Sequence, residues 1–238
     1  INLAIAGIAI STVILPQLSK HVAGNKSEKI SLIQNKALEL SLFLSLPAAV
    51  ALLIASKEII SALFGYGLFD ENSVENSAKA LFYFALGLPA FSLIKVFSSF
   101  YFARHNTKVP FYISLVSVFV NILISVIFFK KFGFIVIPIA TTISSWFNSI
   151  ILFIYLKKDK YFSFNPTFVN KFIRILFSAI IMGLLFVFLM SSFEANLAYG
   201  ENYKSLYLIS LVMFGLITYL VIAILIKAFK ISDINLKY

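Results

Sequence analysis

Cysteine is absent from the 238 residues, which excludes disulfides, thiolate nucleophiles and cysteine metal sites. Histidine is nearly absent. His21 and His105 both read as loop residues beside basic side chains, so a helical metal-binding pair does not arise. Acidic residues number ten against 20 Lys and Arg, and only Glu39 and Glu58 fall within apolar segments, both near the ends. No acidic cluster is available to hold Mg²⁺ for diphosphate chemistry, and no P-loop is present for ATP hydrolysis. No catalytic group, metal or cofactor is therefore expected, which leaves transport or passive structure. Long polar stretches are missing as well, so no separate soluble domain is expected. The chain starts at Ile1, and Ile1–Leu15 is apolar without a charged leader or a cleavage site. That stretch reads as the second half of a spanning helix, and the chain as part of a larger membrane protein.

What is present is apolar. The chain is 61% hydrophobic with mean hydropathy +0.96, against about 45–50% apolar residues in a soluble domain. The apolar runs are too long and continuous for a membrane barrel, whose segments are short and alternating. A polytopic helical membrane protein is expected, with apolar segments at 1–17, 37–64, 80–102, 110–129, 133–156, 170–190 and 205–229. The first is a partial helix and the other six are full spans. Lys57 and Glu58 are expected to end the span within 37–64, with 59–64 as a short interfacial helix. The net charge of +10 invites a nucleic-acid partner, but clustering of cations on alternate loops accounts for it better. The stretches 18–36, 103–109, 157–174 and the tail after 226 hold 14 Lys and Arg; the opposite loops hold four, Lys79, Lys130, Lys131 and Lys204. The first set, with the C-terminus, is therefore expected in the cytoplasm.

Polarity inside the spans is sparse and patterned. Lys95 lies within 80–102, where a central lysine costs about 2.5–3.5 kcal/mol on insertion scales and usually faces a bundle interior or wet cavity. Ser92, Lys95 and Ser99 recur on one helical face. Snorkelling toward the basic end is the competing reading, since Arg104 is close. Ser114, Ser117, Asn121 and Ser125 make a second stripe; Thr141, Ser144, Ser145 and Asn148 make a third. Helix–helix hydrogen bonding would explain any one stripe; three consecutive stripes point to a shared polar interior. The segments 170–190 and 205–229 carry no stripe and no charge, so they should face lipid or handle something apolar. Ala4, Gly7 and Ser11 form a small-residue face suited to close packing. Pro47, Pro89 and Pro138 lie within spans and can mark kinks.

Four motifs, in order, carry a family resemblance: GIAISTVILPQLSK at Gly7–Lys20, SLPAAVALLIASKEIISALFGYGLFD at Ser45–Asp70, GLPAFSLIKVFSSFYFARHNTKVP at Gly87–Pro110, and IATTISSWFNSIILF at Ile139–Phe153. The sequence resembles the MurJ (MviN-type) lipid II flippases of the multidrug/oligosaccharidyl-lipid/polysaccharide exporter superfamily. It departs from the family pattern at Tyr66, Asn106, Val136 and Pro138. The resemblance implies an all-α polytopic fold, the C-terminal lobe of a two-lobe, fourteen-helix transporter, with one partial and six full transmembrane helices. Residues 1–156 would be the C-lobe, and 157–238 an additional helix pair forming a lipid-tail groove. The implied function is to flip undecaprenyl-diphosphate-linked peptidoglycan precursor, lipid II, across the bacterial inner membrane by alternating access, without covalent chemistry. Lys95, Ser92, Ser99, Ser117, Asn121, Thr141, Ser145 and Asn148 would then line the substrate cavity. The implied partners are lipid II, membrane lipids and an N-terminal lobe of the same protein, with no nucleic acid. The alternatives are another superfamily transporter (a polysaccharide-lipid flippase or a cation-coupled drug exporter), a polyprenyl-phosphate transferase, disfavoured by the lack of clustered acids, and a non-transporting scaffold, for which the Lys95 face would be unneeded.

Overall fold

A computed structural model describes residues 7, 8 and 10–229, and among these every regular element is helical. The order is α1 (Ile10–Ala23), α2 (Ser27–Ile54), α3 (Ser56–Phe64), α4 (Glu71–Phe102), α5 (Lys108–Phe132), α6 (Val136–Lys158), α7 (Pro166–Ser192) and α8 (Lys204–Leu225). Among the described residues, five stretches are long and apolar enough to cross a membrane. One of them, Lys108–Lys158, has 51 residues, more than twice the roughly 20 that one crossing needs. Gly133 divides it. Its φ of 62° is a backbone state that suits glycine, and a short 3₁₀ turn, Gly133–Ile135, leads into α6. The stretch is thus the α5–α6 hairpin, and α2, α4, α5, α6, α7 and α8 are the six full spans.

Several helix boundaries differ from the sequence reading. The segment 18–36 is not a loop: α1 continues to Ala23 and α2 begins at Ser27, leaving only a turn around Asn25, whose φ is 50°. Hydropathy marks where lipid ends, whereas a helix can run on into water with charged side chains. His21 is consequently helical and buried, not a loop residue. The break after α2 falls at Ala55, ahead of Lys57 and Glu58, so the short helix α3 contains both. Pro138 sits in the first turn of α6, where no intrahelical N–H is required. Helices α2 and α4 run continuously through Pro47 and Pro89. Ala4 lies outside the described residues.

The loops gather at two ends, as the alternation of charge requires. At the basic end Gln34 donates to the Tyr161 carbonyl (3.0 Å), Asn35 to that of Ser163 (2.9 Å) and Arg104 to that of Tyr161 (3.0 Å). At the other end Tyr199 donates to the Phe69 carbonyl (2.7 Å), and Lys204 to the Gly65 carbonyl (2.9 Å). Between the ends lies an apolar interior. Ile14, Leu18, Phe97, Phe100 and Leu152 pack together near the basic end. Phe43, Ile175, Met182 and Tyr219 join α2, α7 and α8. In lipid such contacts gain by close packing more than by escape from water.

Candidate functional site

Helices α1, α4 and α5 enclose an open cavity of about 700 Å³. Its wall from α4 carries Lys95, Ser98, Ser99 and Phe102; α1 supplies Ser11 and Thr12; α5 begins beside it and supplies Ser114. Lys95 stands seven residues, or about 10 Å at the helical rise, inside the end of α4. Its side chain is exposed to the cavity, and no described carboxylate forms an ion pair with it. This cation is therefore presented, not consumed by the fold.

The position of Lys95 depends on a close helix crossing. A Cβ placed on Gly7 would lie 3.3 Å from Cγ of Lys95 and 3.4 Å from Cα of Ser92. Glycine thus lets the chain before α1 approach α4 beside the lysine. Ser92 is buried behind this contact, and neither its hydroxyl nor that of Ser11 has a partner among the described residues. Ser99 is also buried; its hydroxyl donates to the Val96 carbonyl (2.7 Å) of its own helix.

The other five expected residues form a different feature. Asn121 donates to Thr141 Oγ1 (3.1 Å) and Ser144 Oγ (3.2 Å), and Asn148 donates to Ser114 Oγ (3.4 Å). Ser145 donates to the Thr141 carbonyl (2.7 Å) and Ser117 to that of Ile113 (2.8 Å). Partner numbers rise on one helix as they fall on the other, so this is the antiparallel seam of the α5–α6 hairpin. The stripes on α5 and α6 thus face each other, bonding across the seam through Asn121 and Asn148, although Asn148 Oδ1 has no partner among the described residues. Ser114 belongs to both features, since it accepts from Asn148 and lines the cavity. The structure therefore brings Lys95 and Ser99 together on the cavity wall, places Ser92 beneath it, and puts Ser117, Asn121, Thr141, Ser145 and Asn148 in the adjoining seam.

Thr12, Ser98 and Thr107 line the cavity without having been singled out in the sequence. The available signal was spacing: Ser98 follows Lys95 by three positions and Thr12 adjoins Ser11. Arg104, close in sequence, plays another part. It donates to the Phe100 carbonyl (2.7 Å), and its guanidinium lies 4.4 Å from the centre of the Tyr161 ring. Burial lowers its pKa, while the neighbouring Tyr161 and Tyr101 act in the opposite sense.

A second, almost wholly apolar trench of about 320 Å³ lies among α2, α4, α6 and the start of α7. Leu42, Leu46, Leu93, Phe97, Phe153, Phe168 and Phe172 line it. The segment after 157 contributes only through Phe164 and the first turns of α7.

A family model described as "Lipid II flippase MurJ" matches residues 1–208. The probable lipid II flippase MurJ of Rhizobium tropici is 32% identical over 239 residues, covering 99% of this chain and 45% of that protein. The corresponding protein of Thermotoga maritima is 34% identical over 232 residues, with 98% and 44% coverage. A solved structure titled "Lipid II flippase MurJ, inward closed conformation" superposes with a TM-score of 0.76 at 25% identity, covering 95% of this chain and 44% of that one. The chain spans a little under half the length of these relatives.

Proposed function

Since this chain belongs to the lipid II flippase MurJ family, we propose that it acts as the C-terminal half of a transporter that moves lipid II outward across the bacterial inner membrane. The observation that carries the reading is Lys95, a cation on the wall of a roughly 700 Å³ cavity between spanning helices. A diphosphate is anionic and rich in acceptor oxygens. A lysine in a site screened from bulk water binds such a group more strongly than one at the surface. The hydroxyl of Ser98 on the same cavity wall supplies a further donor.

The apolar trench along α2, α4 and α6 supplies a surface for a polyprenyl chain, with Phe164, Phe168 and Phe172 at its rim. Diphosphate and tail are then held by different parts of one lobe. Translocation needs no bond to be made or broken. It needs the cavity to open alternately to the two sides, which in two-lobe transporters means one lobe rocking against the other. The other lobe is an N-terminal half, partner of the open cavity face. The basic end, with the C-terminus, faces the cytoplasm.

Growth of flippase-depleted cells tests the two-lobe reading. This chain expressed alone should not restore growth; coexpression with an N-terminal half should. Restoration by residues 1–238 alone would overturn it.

A further inference from the structure

Helix α4 stands between the Lys95 cavity and the apolar trench. It gives the cavity Lys95, Ser98, Ser99 and Phe102, and the trench Pro89, Leu93 and Phe97. At about 100° of turn per residue, the two sets centre about 170° apart, on opposite faces of one helix. Cavity and trench share no lining residue. On either side of α4 the helices are packed in pairs, α1 on α2 and α5 on α6, and α4 itself packs against both α2 and α6. A chain joining the two sites must therefore go round α4.

The trench also has a defined length. It runs from Leu38 to Leu46 on α2 and from Pro89 to Phe97 on α4, about 12 Å on each at the helical rise. On α6 it runs over nearly the same distance, from Trp146 to Phe153. An extended carbon chain advances about 1.2 Å per bond, so a prenyl unit, with four bonds along the chain, covers about 5 Å. The trench thus holds about two to three units. Its volume agrees. About 320 Å³ accommodates roughly ten methylene-sized groups at about 30 Å³ each, the share of one water in the liquid.

Going round α4 means following at least half the circumference of a helix about 10–12 Å across, or about 16 Å. That path takes up about three prenyl units. We propose that the trench holds a window of the polyprenyl tail that begins no earlier than about the fourth unit from the diphosphate. This assignment rests on the reading in which Lys95 holds that diphosphate. The units next to the headgroup do not reach the trench, and those beyond the window lie in the bilayer. Lipid tails are as apolar as the trench wall, so a unit is held only where it packs closely. A tail must then be long, and not merely apolar, to engage both sites.

The chain carries its own reporter, because Trp146 is its only tryptophan and lines the trench. Bromine quenches indole emission on contact. Undecaprenyl diphosphates brominated at a single double bond, from the first unit to the ninth, are added in turn to the chain in nanodiscs. Emission should be lost for a run of adjacent positions starting at the fourth unit or later, and retained for the first two. In Lys95→Ala the window should dissolve into equal, weak loss at every position, as it should for brominated undecaprenols, which have no diphosphate to hold. Loss from the first or second unit, equal loss from every position in the unaltered chain, or loss from none would each overturn the proposal. A window unchanged in Lys95→Ala would instead overturn Lys95 as the holder of the diphosphate, the reading beneath it.

Discussion

The hydroxyl of Tyr219 on α8 donates to the carbonyl of Phe43 on α2 at 2.7 Å. That carbonyl is the one to which residue 47 would bond in a regular helix, and residue 47 is proline, which has no N–H to give. The tyrosine of a distant helix thus supplies the missing donor. It is 1% exposed, and its ring lies 5.1 Å from that of Phe43. The proline in α2 is a docking point for α8.

Tyr219→Phe should destabilise the chain by about 1–2 kcal/mol, the cost of an unpaired carbonyl in an apolar interior. Pro47→Ala restores the helical N–H and should recover part of the loss in the double variant. Unfolding in mixed micelles measures both; equal losses with and without Pro47 would contradict the pairing.

The seam between α5 and α6 predicts a modest effect. Asn121→Leu removes the bonds to Thr141 and Ser144, and interhelical bonds of this kind average about 0.6 kcal/mol. Stability should fall by less than about 1 kcal/mol, and the variant should keep the α5–α6 pairing. Disulfide trapping with Cys at 114 and 148 reads that pairing directly.

Asp70 caps α4 by accepting from the Ser73 N–H at 2.8 Å, and the Ser73 hydroxyl first, then this backbone bond, lower its pKa from the usual 3.8. A lowered folded value means the cap's contribution is complete above the ordinary carboxylate range and is lost as pH falls through the folded pKa. The amide shift of Ser73 should therefore titrate with a midpoint below 3.8. In Asp70→Asn, which keeps an acceptor oxygen, that titration should vanish.

Sidedness is readily testable because the chain has no cysteine of its own. Cys at Asn72 should react with an impermeant thiol reagent added outside cells, and Cys at Lys158 should react only after permeabilisation. The opposite pattern would invert the topology.

Much of this arrangement was legible from pattern. Continuous apolar runs located the spans, because a bilayer imposes a minimum length on each. Alternating loop charge identified which loops share an end, and the hydrogen bonds of Asn35, Arg104 and Tyr199 agree with that grouping. Lys95 stood out because a charge in an apolar run is rare. Helix ends were less legible: α2 starts ten residues before its apolar run, since the helix persists where lipid does not. The polar stripes were visible, but not their partners. Asn121 facing Thr141 and Asn121 facing a cavity look alike along the chain, and only the hairpin register separates them. Lys204 looked like an ordinary loop cation. Its burial depends on Tyr66 and the Gly65 carbonyl, far away in sequence, which no local spacing signals.

The most direct test of the central claim is translocation of lipid II by proteoliposomes holding this half together with its N-terminal half, with Lys95 intact or changed. Lys95→Ala should abolish translocation at unchanged protein content, and Lys95→Arg should retain part of it, since the charge persists while its geometry changes. Translocation by Lys95→Ala at the unaltered rate would contradict the account and leave Lys95 as a side chain that merely reaches toward the basic end.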